Sequence, residues 1–265
     1  MSTIGALDLS VLYAPPPQAG AFGGNPIAAL AAAEKNPAKA IAATAKTPAV
    51  QRDLTAFRTA VAKAKSAKAL LADPAVLKVL LTVNGLADQM GYPALASKAL
   101  LSDPKNPKST ANQLPNTAWR AAAATYQFAA KGLAVIKAAN VQDTIANAYA
   151  EISWRKSLDA TTPGLSDALT FRDRAASIKS EYDILGDATL RRVVTTTLGI
   201  PQQLAVQPLE SQKQAIAAKL DIKQLKDKKF VEVFVQRYLT AAANNGDQPP
   251  PSITQLVTQA FGLLL

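Results

Sequence analysis

One stretch of this chain is written twice, at residues 70–90 and again at 184–204. Leu71 falls on Leu185, Asp73 on Asp187, Val79 on Val193, Thr82 on Thr196, Gly85 on Gly199 and Gln89 on Gln203, all at one offset of 114 (187 − 73). Each copy carries the start and stop signals of a short helix. A short carboxylate such as Asp73 or Asp187 accepts hydrogen bonds from the free N–H groups of a first helical turn. Pro74 suits the first helical position, where no N–H is needed. Gly85 and Gly199 stand where a left-handed residue stops a helix, and the apolar residue after each folds back onto the last turn. The pattern predicts an all-α, compact multi-helix domain built from two related halves, each organised about one capped core helix.

Composition narrows the chemistry. At 265 residues the chain can bury one large core or two small ones, and its abundance of Ala with only 6% aromatics favours helices. No run approaches the roughly 18 apolar residues of a membrane span. The first basic residue is Lys35 and no apolar h-region precedes it, so no cleaved secretory signal is expected and the protein is expected to be made in the cytoplasm. Cysteine and histidine are both absent. Thiolate catalysis, Cys-ligated metals, the commonest general base and every Ser-His-Asp arrangement go with them. Neither a phosphate loop nor a dinucleotide or HExxH motif occurs. Asp73, Asp103, Asp187, Asp221 and Asp227 all read as helix starts. The chain reads as non-enzymatic, with no catalytic residues, cofactor, metal or small-molecule substrate.

Charge is unevenly placed. The net charge is +10, and residues 35–137 hold fifteen Lys/Arg against four Asp, whereas 138–265 hold fourteen against thirteen acids. The basic half suits a solubilising lysine surface; a binding module for nucleic acid or an acidic protein surface is the alternative reading.

Along the chain, residues 1–47 read as an Ala/Pro-rich flexible arm. Within it Leu7, Leu9, Leu12 and Tyr13 are apolar enough to dock on a partner. Asn25-Pro26, Asn36-Pro37 and Thr47-Pro48 recur every eleven residues (36 − 25 and 47 − 36), each a cap residue before a proline. They suit a string of short helices or a partly disordered arm. Residues 48–243 read as the helical domain, with Thr162-Pro163-Gly164 dividing halves at 48–161 and 165–243. Val50, Leu54, Phe57 and Val61 lie on one helical face. A helix from Pro115 should carry Trp119, Tyr126 and Phe128 inward, and others are expected at 140–160 and 166–180. A closing core helix is expected between Asp227 and Asn245-Gly246. Residues 244–265 read as a proline linker and a short amphipathic tail, with Leu256, Phe261 and Leu264 as docking residues.

Three blocks also carry a likeness. They are Leu71-Ala72-Asp73-Pro74 with Lys78-Val79 and Gly85-Leu86; Ser109-Thr110-Ala111-Asn112-Gln113-Leu114; and Leu185-Gly186-Asp187 with Leu190-Arg191-Arg192-Val193 and Leu198-Gly199-Ile200-Pro201. In order and spacing these resemble the bacterial domain-of-unknown-function 1217 family over about residues 48–243. That family is often encoded beside flagellar genes and has no assigned catalytic residues. The resemblance implies an all-α fold and a flagellum-associated structural or assembly role, with flagellar components or copies of the chain itself as partners, in an oligomer or filament. It also implies export to the flagellum or the exterior without a cleaved signal, with docking through the termini.

Overall fold

Three prolines begin the first three helices. In a computed structural model, which describes residues 25–245, α1 (Pro26–Lys35), α2 (Pro37–Ala45) and α3 (Pro48–Lys63) each open on the proline of one eleven-residue unit. Asn25 caps α1 by accepting the Ile27 N–H at 2.9 Å. There follow α4 (Ala67–Leu70), α5 (Pro74–Val83), α6 (Pro93–Leu100), α7 (Thr110–Gln113), α8 (Ala118–Tyr126), α9 (Phe128–Lys131), α10 (Ala134–Lys137) and the long α11 (Ala139–Leu158). The chain continues through α12 (Leu165–Arg174), α13 (Glu181–Gly186), α14 (Ala188–Thr197), α15 (Leu209–Ala217) and α16 (Lys228–Asn245), with 3-10 turns at Gln202–Val206 and Ile222–Lys226. The protein is all-α, with no strand among the described residues.

Buried side chains fall into two clusters. The first joins Val50, Leu54, Phe57 and Val61 of α3 to Val76, Val79 and Leu80 of α5, Trp119 and Tyr126 of α8, and Ile145 and Tyr149 of α11. The second joins Trp154 at the far end of α11 to Phe171 of α12, Leu190 and Val193 of α14, and Phe234, Val235 and Tyr238 of α16. One helix therefore contributes to both. The helix face expected on α3 is buried as expected, and so are Trp119 and Tyr126.

Helices α5 and α14 have like ends. Asp73 accepts the Ala75 N–H at 2.8 Å; Asp187 accepts those of Thr189 and Leu190 at 2.9 Å. Gly85 and Gly199 are left-handed, at φ 71° and 59°. In each case the next residue donates back five positions, Leu86 to Leu81 and Ile200 to Thr195, both at 2.8 Å.

Several expectations need correction. Residues 25–47 are not a flexible arm: α2 lies along α11, α1 reaches α12 and α16, and Leu30 is fully buried in the second core. Alanine faces permit that close approach, and Glu34 of α1 pairs with Arg172 of α12. The boundary at residue 48 thus separates helices that pack together. Helix α8 begins at Ala118, where Asn116 accepts the N–H at 2.9 Å, and not at Pro115. It ends before Phe128, because Gln127 is left-handed at φ 50°. Asp103 starts a turn, accepting the Lys105 N–H, rather than a helix. The segment 166–180 is helical only to Arg174, then tightens into a 3-10 turn at Ala175–Ser177. Leu7, Leu9, Leu12, Tyr13, Leu256, Phe261 and Leu264 lie outside the described residues.

Two substitutions test these arrangements. Leu30→Ala should release α1, seen as hydrogen exchange over 26–35 rising toward that of a free peptide while α5 and α14 stay protected; unchanged exchange would refute the docking. A Cβ on Gly186 would sit 2.6 Å from the Pro115 carbonyl oxygen, whereas one on Gly199 meets nothing within 4 Å. Gly199→Ala should therefore cost only the left-handed backbone term of about 1–2 kcal/mol. Gly186→Ala forces backbone apart and should cost about 1–3 kcal/mol or more in urea unfolding.

Candidate interaction surface

Each core is closed by a carboxylate that joins a tyrosine to a cation. In the first, the Tyr149 hydroxyl of α11 donates to Asp53 Oδ2 of α3 at 2.6 Å, and Lys78 Nζ of α5 donates to the same oxygen at 2.7 Å. In the second, the Tyr238 hydroxyl of α16 donates to Asp167 Oδ2 of α12 at 3.1 Å. Arg192 of α14 grips that carboxylate with Nε and a terminal nitrogen. Partial burial pushes the Asp53 carboxyl up, but the bonds from Lys78 and Tyr149 outweigh it and hold the group below the usual carboxylate range. Burial, reinforced by Asp53, pushes the Tyr149 phenol well above its usual value, and burial with the Asp167 charge does the same to Tyr238.

Further carboxylates are committed in the same manner. Asp187 is buried, and its second oxygen takes Arg174 Nη1 at 2.6 Å while the first caps α14. The same guanidinium lies beside Gly85, where a Cβ would be 3.6 Å away, so Arg174 stands between the end of α5 and the start of α14. Glu151 and Asp173 both pair with Arg155, tying α11 to α12. Asp221 and Asp227 accept backbone N–H groups two residues on, at 2.9 and 2.8 Å. Among the described residues no group of three metal-ligating side chains comes together.

A concavity of about 1110 Å³ lies on the outside of α8 and α9. Its floor is alanine: Ala121 and Ala124 of α8, Ala129 and Ala130 of α9. Arg120 and Lys105 stand at its rim with Asp103. Thr117 and Ala121 also line a smaller cleft of about 510 Å³ that runs between the cores to Gly85, Arg155 and Arg174. A separate basic cluster surrounds the end of α3, where Lys137 Nζ donates to the Ala64 carbonyl at 3.1 Å between Lys63 and Lys65.

The sequence profile of the family described as "Protein of unknown function (DUF1217)" matches residues 83–231, more than half of the chain. The chain belongs to the DUF1217 family. None of the curated proteins compared with it matches. A crystal structure of protein AGR_C_984 from Agrobacterium tumefaciens is similar, with a TM-score of 0.67 at 23% identity over 84% of this chain and 94% of that one. At that identity the likeness is one of fold. Among the described residues, no helix of this DUF1217 chain is long and apolar enough to cross a membrane.

Of the residues singled out from sequence, Asp73, Pro74, Gly85, Asp187 and Gly199 hold helix ends, and only Gly85 and Asp187 come together, through Arg174. Sequence reasoning did not find the groove or the two clasps of the DUF1217 fold. The signal available for the clasps was the offset of 114 itself, which also relates Asp53 to Asp167 (167 − 53) and Lys78 to Arg192 (192 − 78).

Because the folded Asp53 carboxyl titrates below its unfolded value, its contribution is present above about pH 4 and is lost as pH falls through the folded value. Tyr149→Phe should cost about 1 kcal/mol in urea unfolding near neutral pH, and the gap to the parent should narrow as pH falls below about 4. A gap that stays constant across that range would show that the carboxylate is not the partner that matters.

Proposed function

We propose that this chain is a non-enzymatic, flagellum-associated structural or assembly protein that works by binding other proteins. The observation that carries the binding role is the open groove lined by alanines together with Lys105 and Arg120, which have no ion-pair partner among the described residues, a shape that suits another chain better than a small substrate. The carboxylates support the same reading. Asp53, Asp167 and Asp187, which lie in or against the cores, are each tied to both a cation and a second donor, and so are committed to holding helices. Acid–base work needs a group whose proton is free to move toward a substrate. Support for the flagellar setting comes from the family resemblance, in which such chains are encoded beside flagellar genes.

A clean deletion strain compared with its parent tests the proposal. Loss of swimming, with the protein recovered in basal-body, hook or filament fractions of the parent, is the expected outcome. Normal flagella with the protein confined to the cytoplasm would sink the flagellar role.

A further inference from the structure

We propose that the groove over α8 and α9 is the docking site for an acidic amphipathic helix of a partner protein. The proposal rests on reading the chain as a binding protein, and it begins with what the two halves share. Asp53 and Lys78 of the first clasp correspond to Asp167 and Arg192 of the second at the offset of 114 that also separates Asp73 from Asp187. Ser66 and Ser180 (180 − 66) likewise cap α4 and α13, each accepting the N–H three residues on. Buried Phe57 corresponds to buried Phe171 (171 − 57). From α10 onward the correspondence continues at a smaller offset of 89. Ile136 matches Leu225 (225 − 136), Ile145 matches Phe234 (234 − 145) and Tyr149 matches Tyr238 (238 − 149), all buried.

The first half therefore holds 25 residues (114 − 89) that the second lacks, and they fall between α6 and α10. Helices α7, α8 and α9 lie in that interval. The residues lining the groove, from Asp103 to Ala130, lie there as well. The second half accommodates the added segment: Gly186 stands where the first copy has Ala72 (186 − 72), and the Pro115 carbonyl occupies the space its methyl would need. What the repeated plan does not need thus builds this open concavity. Within it, Gln127 is the one non-glycine residue with positive φ among those described. Such costly backbone conformations cluster at binding sites.

The chemistry of the groove selects its occupant. Thr117 at the N-cap of α8, with Ala121 and Ala124 of the helix, are spaced four and three apart on its outer face. With Ala129 and Ala130 they offer only small side chains, which let a second helix pack at the near end of the roughly 8–10 Å interaxial range. A volume of about 1110 Å³ exceeds the usual ~300–1,000 Å³ of small-ligand sites. Lys105 and Arg120 at the rim have no ion-pair partner among the described residues, and exposed Lys131 follows directly on Ala130. Asp103, the one carboxylate of the lining, already accepts a backbone N–H. An apolar helix face flanked by Glu or Asp meets all of these features.

The absence of cysteine makes a direct test available in the full chain. Ala124→Cys places a single thiol on the groove floor, and the probe is a synthetic peptide of about 18 residues, with an alanine face flanked by glutamates, long enough to be helical when bound. The peptide should slow labelling of the thiol and bind by fluorescence anisotropy. The same peptide with lysine for glutamate should do neither. Lys105→Glu with Arg120→Glu should weaken binding about tenfold or more, while Lys63→Glu with Lys65→Glu, at the other basic cluster, leaves it unchanged. Four results would overturn the proposal: no binding, equal binding by the groove variant, equal loss from the Lys63/Lys65 variant, or a single-stranded oligonucleotide competing at the same residues. A thiol already protected without peptide would also overturn it, by showing that the chain fills its own groove. Failure here leaves the flagellar fractionation result standing, so the two readings are judged separately.

Discussion

Helix α11 belongs to both hydrophobic cores, and the rest of the body is arranged around that sharing. Ile145, Tyr149 and Ala150 along it belong to one cluster, and Trp154, about one turn further on, belongs to the other. A helix of twenty residues spans about 30 Å, enough to cross from one core to the next without a break. Polar bonds fix its rotation. Tyr149 is hydrogen-bonded to Asp53 on α3, and Arg155 is held by Glu151 and Asp173. Turning α11 would break a bond in each half at once. Helix α2 then covers its remaining flank, and Ile41 packs against both clusters.

The charged side chains nearest the cores serve this packing. Burying a carboxylate is tolerable only when its lone pairs are filled, and Asp187 meets that condition with two backbone donors and Arg174. Arg174 in turn lies by the C-terminal end of α5, where a cation suits the helix dipole. Tyrosine hydroxyls paired with Asp53 and Asp167 give each core a directional contact that hydrophobic burial alone lacks. Among the described residues, most lysines without an ion-pair partner belong to the first half.

Much of the local structure was readable beforehand. The prolines of the Asn-Pro and Thr-Pro units, the Asp caps and the two glycine stops each mark a helix end, so a few neighbouring residues suffice to specify it; of the residues before those three prolines Asn25 makes a side-chain cap, whereas Asn36 and Thr47 make none. The apolar faces of α3 and α8 could be read for the same reason, since a helix places residues three and four apart on one side. Where the reading failed, the deciding group was distant or the backbone departed from its commonest form. Gln127 ends α8 in a left-handed conformation that sequence would assign to Gly or Asn. Residues 25–47 were read as part of a flexible arm, yet Leu30 of α1 is buried in the second core, Glu34 of α1 pairs with Arg172, and α2 lies along α11.

The amino-acid sequence by itself determined that this chain is helical, where most of its helices begin and end, and that cysteine and histidine chemistry are closed to it. It also set Asp53 and Asp167 at the same offset of 114 as Asp73 and Asp187, though only the partners of Asp53 and Asp167 gave that spacing a physical meaning. Those partners lie 96 and 71 residues away along the chain, beyond the reach of any local rule. The docking of α1 and α2, the two clasps and the groove over α8 and α9 were decided by tertiary structure. Each depends on which helix faces happen to meet, and that is settled by burial and packing across the whole body rather than by the residues of any one segment.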